Sequence, residues 1–304
     1  MPDLRITFCG ANWKNPVTTA SGTFSARDSG RFYDLSRLGA LTTKGVACVP
    51  WEGNETPRIA EVYGGMLNSV GLQNPGAEEF IREELPYLRS FGVPLIANVA
   101  GRSVEEYCRA AEMLSESDVD LLEINISCPN VKEGGIGFGT ERAMAARVAA
   151  QVRRVTKKPM MVKLTPNVTD ICEIARAVEE VGADAISLIN TLLGMKIDVK
   201  RKRPVLANKM GGFSGPAVMP VAVRMVYQVR RAVSLPILGM GGIMTGEDAA
   251  EFLLAGADAV AVGTAALVDP AAPVRVLEEL EHYMEEQGFE TIGELKAAFV
   301  DAEV

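Results

Sequence analysis

Residues 121–126 have the sequence LLEINI, in which apolar side chains point to both faces of an extended chain. That pattern is typical of a strand buried on both sides, as in a parallel sheet covered by helices. Seven further short apolar runs of this kind occur along the chain. The eight predicted strands are residues 17–20, 40–44, 95–99, 121–126, 160–164, 185–190, 236–240 and 259–262.

Segments with helical periodicity separate most of these strands, for example residues 103–114, 141–155, 171–181 and 217–232. Strands that alternate with helices predict right-handed crossovers and a parallel sheet. Eight such units favour an α/β fold, the (β/α)8 TIM barrel, over an open doubly wound sheet. The lack of a GxGxxG motif after the first strand points the same way.

Two gaps between predicted strands, residues 46–94 and 191–235, are much longer than the others. In a barrel they become insertions at the C-terminal face, where active sites lie. After Pro270 the pattern predicts a closing helix that Gly288 would cap. Its apolar face would carry Val276, Leu277, Leu280, Tyr283 and Met284. We therefore expect a single barrel domain over residues 1–304.

The composition excludes several functional classes. A net charge of −8 does not provide the basic surface that nucleic-acid binding requires, and the longest apolar stretch is too interrupted to span a membrane. The chain has one histidine, His282, and five cysteines at positions 9, 48, 108, 128 and 172. Their spacing argues against a metal site, an iron–sulfur cluster or a disulfide framework. Without a signal-peptide segment, we expect a cytoplasmic protein in a reducing compartment.

Polar residues stand at the ends of six predicted strands: Ser21, Lys44, Asn98, Asn125, Lys163 and Asn190. Asparagine is unfavourable inside strands, so three at strand ends are hard to attribute to folding. Amide side chains both donate and accept hydrogen bonds, which suits a pyrimidine or an isoalloxazine ring. Two lysines at a barrel mouth indicate anionic centres nearby.

Glycines follow the last two strands, in LGMGGI (238–243) and VGTA (262–265). Gly241, Gly242, Gly263 and Thr264 then lie where barrels commonly bind phosphate, with exposed backbone N–H groups at the start of helices. Gly215, after Ser214, is a candidate for a further amide. The alternative is that these glycines only permit tight turns.

The motif NISCPN (125–130) places Cys128 directly after a strand and before a proline, so we expect it in the mouth. A thiol there is a candidate general base or nucleophile. Residues 134–139, GGIGFG, are predicted to form a mobile loop over it. In the first insertion, residues 65–76 (GMLNSVGLQNPG) are too glycine-rich and polar for the core, and their N–H groups with Asn68 could hold a small planar anion.

Taken together, these motifs resemble the dihydroorotate dehydrogenase family over about residues 5–266. The most specific stretches are residues 68–76, 125–135, 162–169 and 212–217. Cysteine within NISCPN is similar to the class 1 enzymes, and VKEGG (131–135) with VKLTPNVTDI (162–171) resembles the class 1B catalytic subunit. Ser69, Phe213 and Lys196 depart from the alanine, leucine and alanine expected there, which concerns fine specificity.

The resemblance implies an FMN-containing barrel that oxidises (S)-dihydroorotate to orotate in de novo pyrimidine (UMP) biosynthesis. Hydride would pass to FMN, and electrons would continue to NAD through a partner subunit that carries FAD and an iron–sulfur cluster. It also implies a homodimer of this chain within a heterotetramer.

The resemblance further implies roles for individual residues. Cys128 would be the catalytic base that removes the C5 proton. Substrate contacts would be Lys44, Asn68, Ser69, Val70, Gly71, Leu72, Asn125, Asn130, Asn190 and Thr191. FMN contacts would be Ser21, Lys44, Gly45, Asn98, Asn125, Lys163, Ile189, Gly215, Gly241, Gly242, Gly263 and Thr264.

Four alternatives stay open at this point. A homodimeric class 1A enzyme would use fumarate as acceptor, and a dihydropyrimidine dehydrogenase-type subunit would share the barrel and the cysteine. A flavin-free isomerase or aldolase barrel would keep the glycines without needing three strand-end asparagines. A non-catalytic binding barrel would have little use for a thiol and two lysines in its mouth.

Overall fold

The computed structural model describes residues 1–127 and 136–301. Its strands, in chain order, are β1 Ile6–Phe8, β2 Ala11–Trp13, β3 Val17–Thr19, β4 Leu41–Thr42, β5 Ile59–Val62, β6 Gly65–Asn68, β7 Leu95–Val99, β8 Leu121–Asn125, β9 Met160–Lys163, β10 Ala185–Leu188, β11 Leu192–Met195, β12 Ile197–Asp198, β13 Arg203–Pro204, β14 Met210–Ser214, β15 Ile237–Met240 and β16 Ala259–Val262.

The α-helices are α1 Ala26–Ser29, α2 Ala77–Glu79, α3 Leu85–Arg89, α4 Val104–Ser115, α5 Ile136–Gly139, α6 Arg142–Val155, α7 Ile171–Glu180, α8 Met219–Ala232, α9 Gly246–Leu254, α10 Ala265–Val268, α11 Ala272–Gln287 and α12 Ile292–Ala297. A π-helical segment, Phe80–Glu84, joins α2 to α3. Short 3-10 helices span Leu35–Arg37 and Pro216–Val218.

Within the described residues, eight parallel strands form one sheet in the order β3-β16-β15-β10-β9-β8-β7-β4. The sheet curls until β3 approaches β4, and threonine side chains help to close this seam. Thr18 Oγ1 donates to the Ala40 carbonyl at 2.8 Å, and Thr42 N donates to Thr19 Oγ1 at 3.0 Å. All eight predicted strands are confirmed, and the fold is a (β/α)8 barrel.

Apolar side chains fill the N-terminal half of the barrel interior. Ile96, Leu121 and Met161 point inward and pack in one cluster with Phe8 and Trp13 of the β1–β2 hairpin. The two aromatic rings lie 4.8 Å apart. The hairpin covers this end, and the barrel interior opens toward the carboxyl ends of its strands, where its inward residues become polar.

The predicted helices are also confirmed, and local sequence explains their ends. Ser103 caps α4 by accepting from Glu106 N, and Thr245 with Asp248 forms a capping box at α9. The closing helix α11 ends at Gly288, which adopts φ 76°. Residues 136–139, predicted as part of a mobile loop, form the short helix α5, and the rest of that loop lies outside the described residues.

The two long insertions join into a second sheet at the barrel mouth. Its order is β11-β14-β6-β5, and all its pairs are antiparallel. Asn68 of the first insertion pairs with Gly212 of the second. Residues 66–68 therefore pair with a strand on each side and Gly65 with one, so the ladder engages the backbone of this part of the stretch, and its anion-binding role stays a prediction.

No helix in the described ranges is both long and apolar enough to cross a bilayer.

Candidate active site

A cavity of about 230 Å³ opens where the carboxyl ends of the barrel strands meet the insertion sheet. Sixteen predicted site residues line it: Ser21, Lys44, Gly45, Asn68, Val70, Gly71, Leu72, Asn125, Lys163, Ile189, Asn190, Thr191, Gly241, Gly242, Gly263 and Thr264. They come from both ends of the sequence and from both insertions. The structure thus brings together most of the residues that the sequence analysis singled out.

Three predicted contacts lie behind the cavity wall. Asn98 is fully buried, because the sheet register pairs it with Glu123, one layer below Asn125. Ser69 is buried and accepts from Asn54 Nδ2 through its carbonyl oxygen at 3.1 Å. A Cβ on Gly215 would lie 2.5 Å from Gly65 Cα, so this glycine serves the junction of the two insertions. Cys128 and Asn130 lie outside the described residues.

Sequence analysis missed several apolar parts of the wall. Ile59, Met66 and Phe213 come from the insertion sheet, and Met240 and Leu267 from the last two barrel units. Nothing in their local sequence distinguishes them from ordinary packing residues. Their placement follows from the pairing of the two insertions.

The ammonium group of Lys163 is the buried positive charge of the cavity. Its side chain is 4% exposed, and Nζ donates to Ser21 Oγ at 3.0 Å. The same nitrogen lies 3.9 Å from Oε2 of Glu123, a fully buried carboxylate that sequence analysis did not select. A glutamate inside the two-faced apolar strand LLEINI was the signal that could have revealed it.

The amide side chains form a hydrogen-bonded group beneath and beside the cavity. Asn125 Nδ2 donates to Asn98 Oδ1 at 3.2 Å, and Ser127 Oγ donates to Asn125 Oδ1 at 3.0 Å. Asn190 Nδ2 donates to Ser127 Oγ at 2.8 Å. These contacts fix which end of each amide faces the cavity, so the wall presents an ordered pattern of donors and acceptors.

A glycine cradle, formed by Gly241, Gly242, Gly263 and Thr264, makes another part of the wall. Gly241 and Gly242 adopt φ values of 126° and 91°, where side chains are strained. A Cβ on Gly242 would lie 2.7 Å from the Met219 Cβ. The cradle therefore needs glycine, and its bare backbone allows close approach of a phosphate.

Lys44 lies on the cavity wall and stays accessible to solvent. Partial burial lowers the pKa of its ammonium group, and the positive charge of Arg58 lowers this pKa further. Both effects disfavour the charged form in the unliganded protein. A bound anion beside Lys44 would counter them, so this position suits a carboxylate.

Among the described residues, no group of three or more His, Cys, Asp or Glu is placed to hold a metal ion. The expectation of a metal-free site stays a prediction, because residues 128–135 and 302–304 lie outside the described part of the chain. The charged groups on the described cavity wall are the two lysines.

The mouth of this (β/α)8 barrel combines a glycine cradle, a buried ammonium group and ordered amides. These features define the class of barrel enzymes that anchor a phosphorylated ligand at the carboxyl ends of their strands. Residues 3–284 match the family described as dihydroorotate dehydrogenase. The chain therefore belongs to the dihydroorotate dehydrogenase family of FMN-dependent oxidoreductases.

Similar proteins agree along nearly the whole chain. A protein of Alkaliphilus metalliredigens is 57% identical over 297 residues, covering 97% of this chain and 98% of its own. One of Geotalea uraniireducens is 52% identical over 301 residues, covering 98% of this chain and 99% of its own. Both are named dihydroorotate dehydrogenase B (NAD(+)), catalytic subunit.

The residues present fit FMN. Positive φ values and the close packing of Met219 require glycine at Gly241 and Gly242, which leaves bare backbone on the wall for a phosphate, and Lys163 supplies a positive charge inside the same cavity. Ser21 and Asn125 add hydrogen-bonding groups on the wall. The flavin-free isomerase or aldolase and the non-catalytic binding barrel are therefore not favoured.

Proposed function

We propose that this chain is the catalytic subunit of an NAD-linked dihydroorotate dehydrogenase, which oxidises (S)-dihydroorotate to orotate in pyrimidine biosynthesis. The observation that carries the proposal is that one cavity combines the glycine cradle and Lys163 with Lys44 and Asn68. The first pair suits FMN, and the second suits a pyrimidine carboxylate. The names of the similar proteins support both the reaction and the NAD link.

On the cofactor side, the glycine cradle would hold the phosphate. Ser21, Gly45, Asn125 and Ile189 would contact the flavin and its ribityl chain. When bound, FMN supplies the acceptor for the substrate hydride. Lys163 would supply a preorganised positive charge that stabilises negative charge gained in the reaction.

On the substrate side, Lys44 and Asn68 would bind the carboxylate, with Val70 to Leu72 closing around it. Asn125, Asn130, Asn190 and Thr191 would read the N–H and C=O groups of the ring. Cys128 would take the C5 proton, since a thiol loses its own proton far more readily than a serine hydroxyl. The described residues of both sets line the same cavity.

A pH titration of orotate binding tests the carboxylate role of Lys44. Burial and Arg58 lower its pKa below the ordinary value of 10.5, so its charge is lost at lower pH than for an exposed lysine. We expect orotate affinity to be flat near neutral pH and to fall as the pH rises toward 10.5. The dissociation constant, followed by the change in flavin absorbance, measures this.

Lys44→Met is the matched control for this titration. It should bind orotate about tenfold to a hundredfold more weakly at neutral pH, the worth of one charged hydrogen bond. Its affinity should then stay level over the alkaline range. The same alkaline loss of affinity in Lys44→Met would assign the titration to another group.

The acceptor that takes electrons from reduced FMN gives a second test of the proposed function. The sequence contains neither a GxGxxG turn for NAD nor cysteine spacing for an iron–sulfur cluster. We therefore expect the purified chain with FMN to reduce artificial dyes with dihydroorotate but not to reduce NAD. NADH formation should require a partner subunit that carries FAD and an iron–sulfur cluster.

Steady-state assays of the single chain with NAD, a dye or fumarate decide between the classes. Rapid NADH formation without a partner would overturn the proposed division of labour. Efficient turnover with fumarate would instead support the homodimeric class 1A enzyme.

We also propose that this chain forms a homodimer inside a heterotetramer. The mass of the complex reconstituted with its partner subunit tests this. The cytoplasmic location stays a prediction.

A further inference from the structure

Glu123 is a fully buried carboxylate in the centre of the barrel. Strand β8 places it between the apolar layer that contains Leu121 and the cavity residue Asn125. Burying an ionised group is costly unless it is paired and hydrogen-bonded. Glu123 meets that condition, because it accepts from Ser187 Oγ at 2.6 Å and from Asn98 Nδ2 at 2.5 Å, with Lys163 Nζ at 3.9 Å.

The hydrogen bond between Asn98 and Glu123 requires one particular orientation of the Asn98 amide. An ionised carboxylate only accepts hydrogen bonds, so the NH2 end of the Asn98 amide must face Glu123. The carbonyl end of Asn98 then faces Asn125 and accepts from its Nδ2 at 3.2 Å. This leaves the carbonyl end of Asn125 to accept from Ser127 Oγ at 3.0 Å.

The same direction continues to the cavity wall. Asn190 Nδ2 lies 2.8 Å from Ser127 Oγ and 3.5 Å from Asn125 Oδ1, and donates to both. The carbonyl end of Asn190 accepts from Thr191 N at 2.7 Å. We call this set, Glu123, Asn98, Asn125, Ser127 and Asn190, the amide chain. Backbone donors also act on this set: Thr191 N holds the carbonyl end of Asn190 independently of Glu123, and Ser127 N lies at 3.4 Å from Asn125 Oδ1.

We propose that Glu123 is a positioning residue that holds, through Asn98, the amide of the cavity residue Asn125 in its observed orientation. The proposal rests on the proposed function, in which Asn125 contacts both FMN and the substrate ring. Glu123 does not line the cavity, so it acts through Asn98. An unanchored amide can rotate and present the wrong end to the ligand, which leaves a buried donor or acceptor unsatisfied.

Two substitutions separate the acceptor from the charge. Glu123→Gln and Glu123→Met both remove the negative charge near Lys163, but only glutamine keeps an oxygen that Asn98 can use. The Ser187 hydroxyl can rotate to accept from the new NH2 group. Differences between the two variants therefore report the acceptor.

Ser187→Ala is the matched control. It removes the other hydrogen bond of Glu123 and leaves the amide chain intact. The serine is buried like Glu123 and does not line the cavity.

The experiment measures the dissociation constants of FMN and of orotate for each variant, with the thermal unfolding of the apoprotein alongside. We expect Glu123→Met to weaken both ligands by about tenfold or more, the cost of one misplaced buried polar group. Relative to Glu123→Met, Glu123→Gln should restore most of the affinity, and Ser187→Ala should stay within about threefold of wild type. A residue that only supports the fold would instead change unfolding without this ranking of affinities.

Two results would overturn the proposal: native affinities in Glu123→Met, or equal losses in the methionine and glutamine variants. If Glu123→Met does not fold, Asn98→Ala decides, and native affinities in that variant would refute the amide chain. Wild-type protein that binds FMN but not orotate would contradict the proposed substrate. The FMN dissociation constants of the same variants would then still decide the role of Glu123.

Discussion

Replacing Cys128 with serine should slow the reduction of bound FMN by dihydroorotate by about 10²–10⁴-fold, the usual contribution of a positioned general base. The serine hydroxyl holds its proton far more tightly than the thiol, so removal of the C5 proton loses its acceptor. Orotate binding should change little, because the two side chains have nearly the same shape. Anaerobic stopped-flow measurement of flavin bleaching gives the rate, and a titration gives the orotate affinity.

The other cysteines supply the control for this prediction. Burial raises the pKa of the Cys9 thiol to about 12, with the charges of Asp184 and Asp258 adding to the effect. Burial likewise raises the pKa of Cys48, Cys108 and Cys172, so none of the four is suited to act as a base near neutral pH. Cys108→Ser, on helix α4, should therefore leave the reduction rate unchanged.

The pH dependence completes the test. Wild-type reduction should accelerate as the pH rises through neutrality, because the thiolate fraction grows. The serine variant should show no such rise in this range. Near-normal reduction by Cys128→Ser at neutral pH would remove this cysteine from the mechanism.

Replacing Lys163 with alanine should lower the midpoint potential of bound FMN by roughly 60–90 mV, or abolish FMN binding. That range corresponds to the roughly 2.7–4 kcal/mol typical of one preorganised electrostatic contact, converted for a two-electron couple. The reason is that the substitution removes the buried ammonium from the cavity and leaves Glu123 without a nearby cation. Redox titration and the flavin content of the purified variant measure the effect.

Lys157, which is exposed three residues before strand β9 begins, provides a comparison from the other end of this strand. Lys157→Ala removes an equal charge far from the cavity and should leave both potential and FMN content unchanged. Thermal unfolding of both variants separates a lost cofactor from a lost fold. Full occupancy at an unchanged potential in Lys163→Ala would refute the electrostatic role of Lys163.

The positions of the barrel strands along the chain were the most predictable part of the fold. A strand covered by helices on one face and packed inside the barrel on the other must be apolar on both faces, and the period of such runs is visible locally. All eight barrel strands and the four named helices followed from this signal. Polar residues at strand ends pointed to the mouth because the carboxyl ends of parallel strands meet there.

The insertions were less predictable. Their lengths indicated where they leave the barrel, but strand β6 opens the glycine-rich stretch of residues 65–76 and has no apolar alternation, so it resembled a loop. It becomes a strand because β14, from the other insertion, lies beside it and pairs Asn68 with Gly212. Local sequence carries no information about a partner so distant along the chain.

The sequence by itself determined the barrel, the glycine cradle and most residues of the cavity wall, since each depends on residue type and on position at a strand end. Only the tertiary structure decided that Asn98 lies one layer below the wall and that Glu123 lies beneath the cavity. The physical reason is register: adjacent strands β7 and β8 pair Asn98 with Glu123, and this offset depends on hydrogen bonds between strands. The same offset gives the buried carboxylate its amide partner, and the pairing of β8 with β9 brings Lys163 near it.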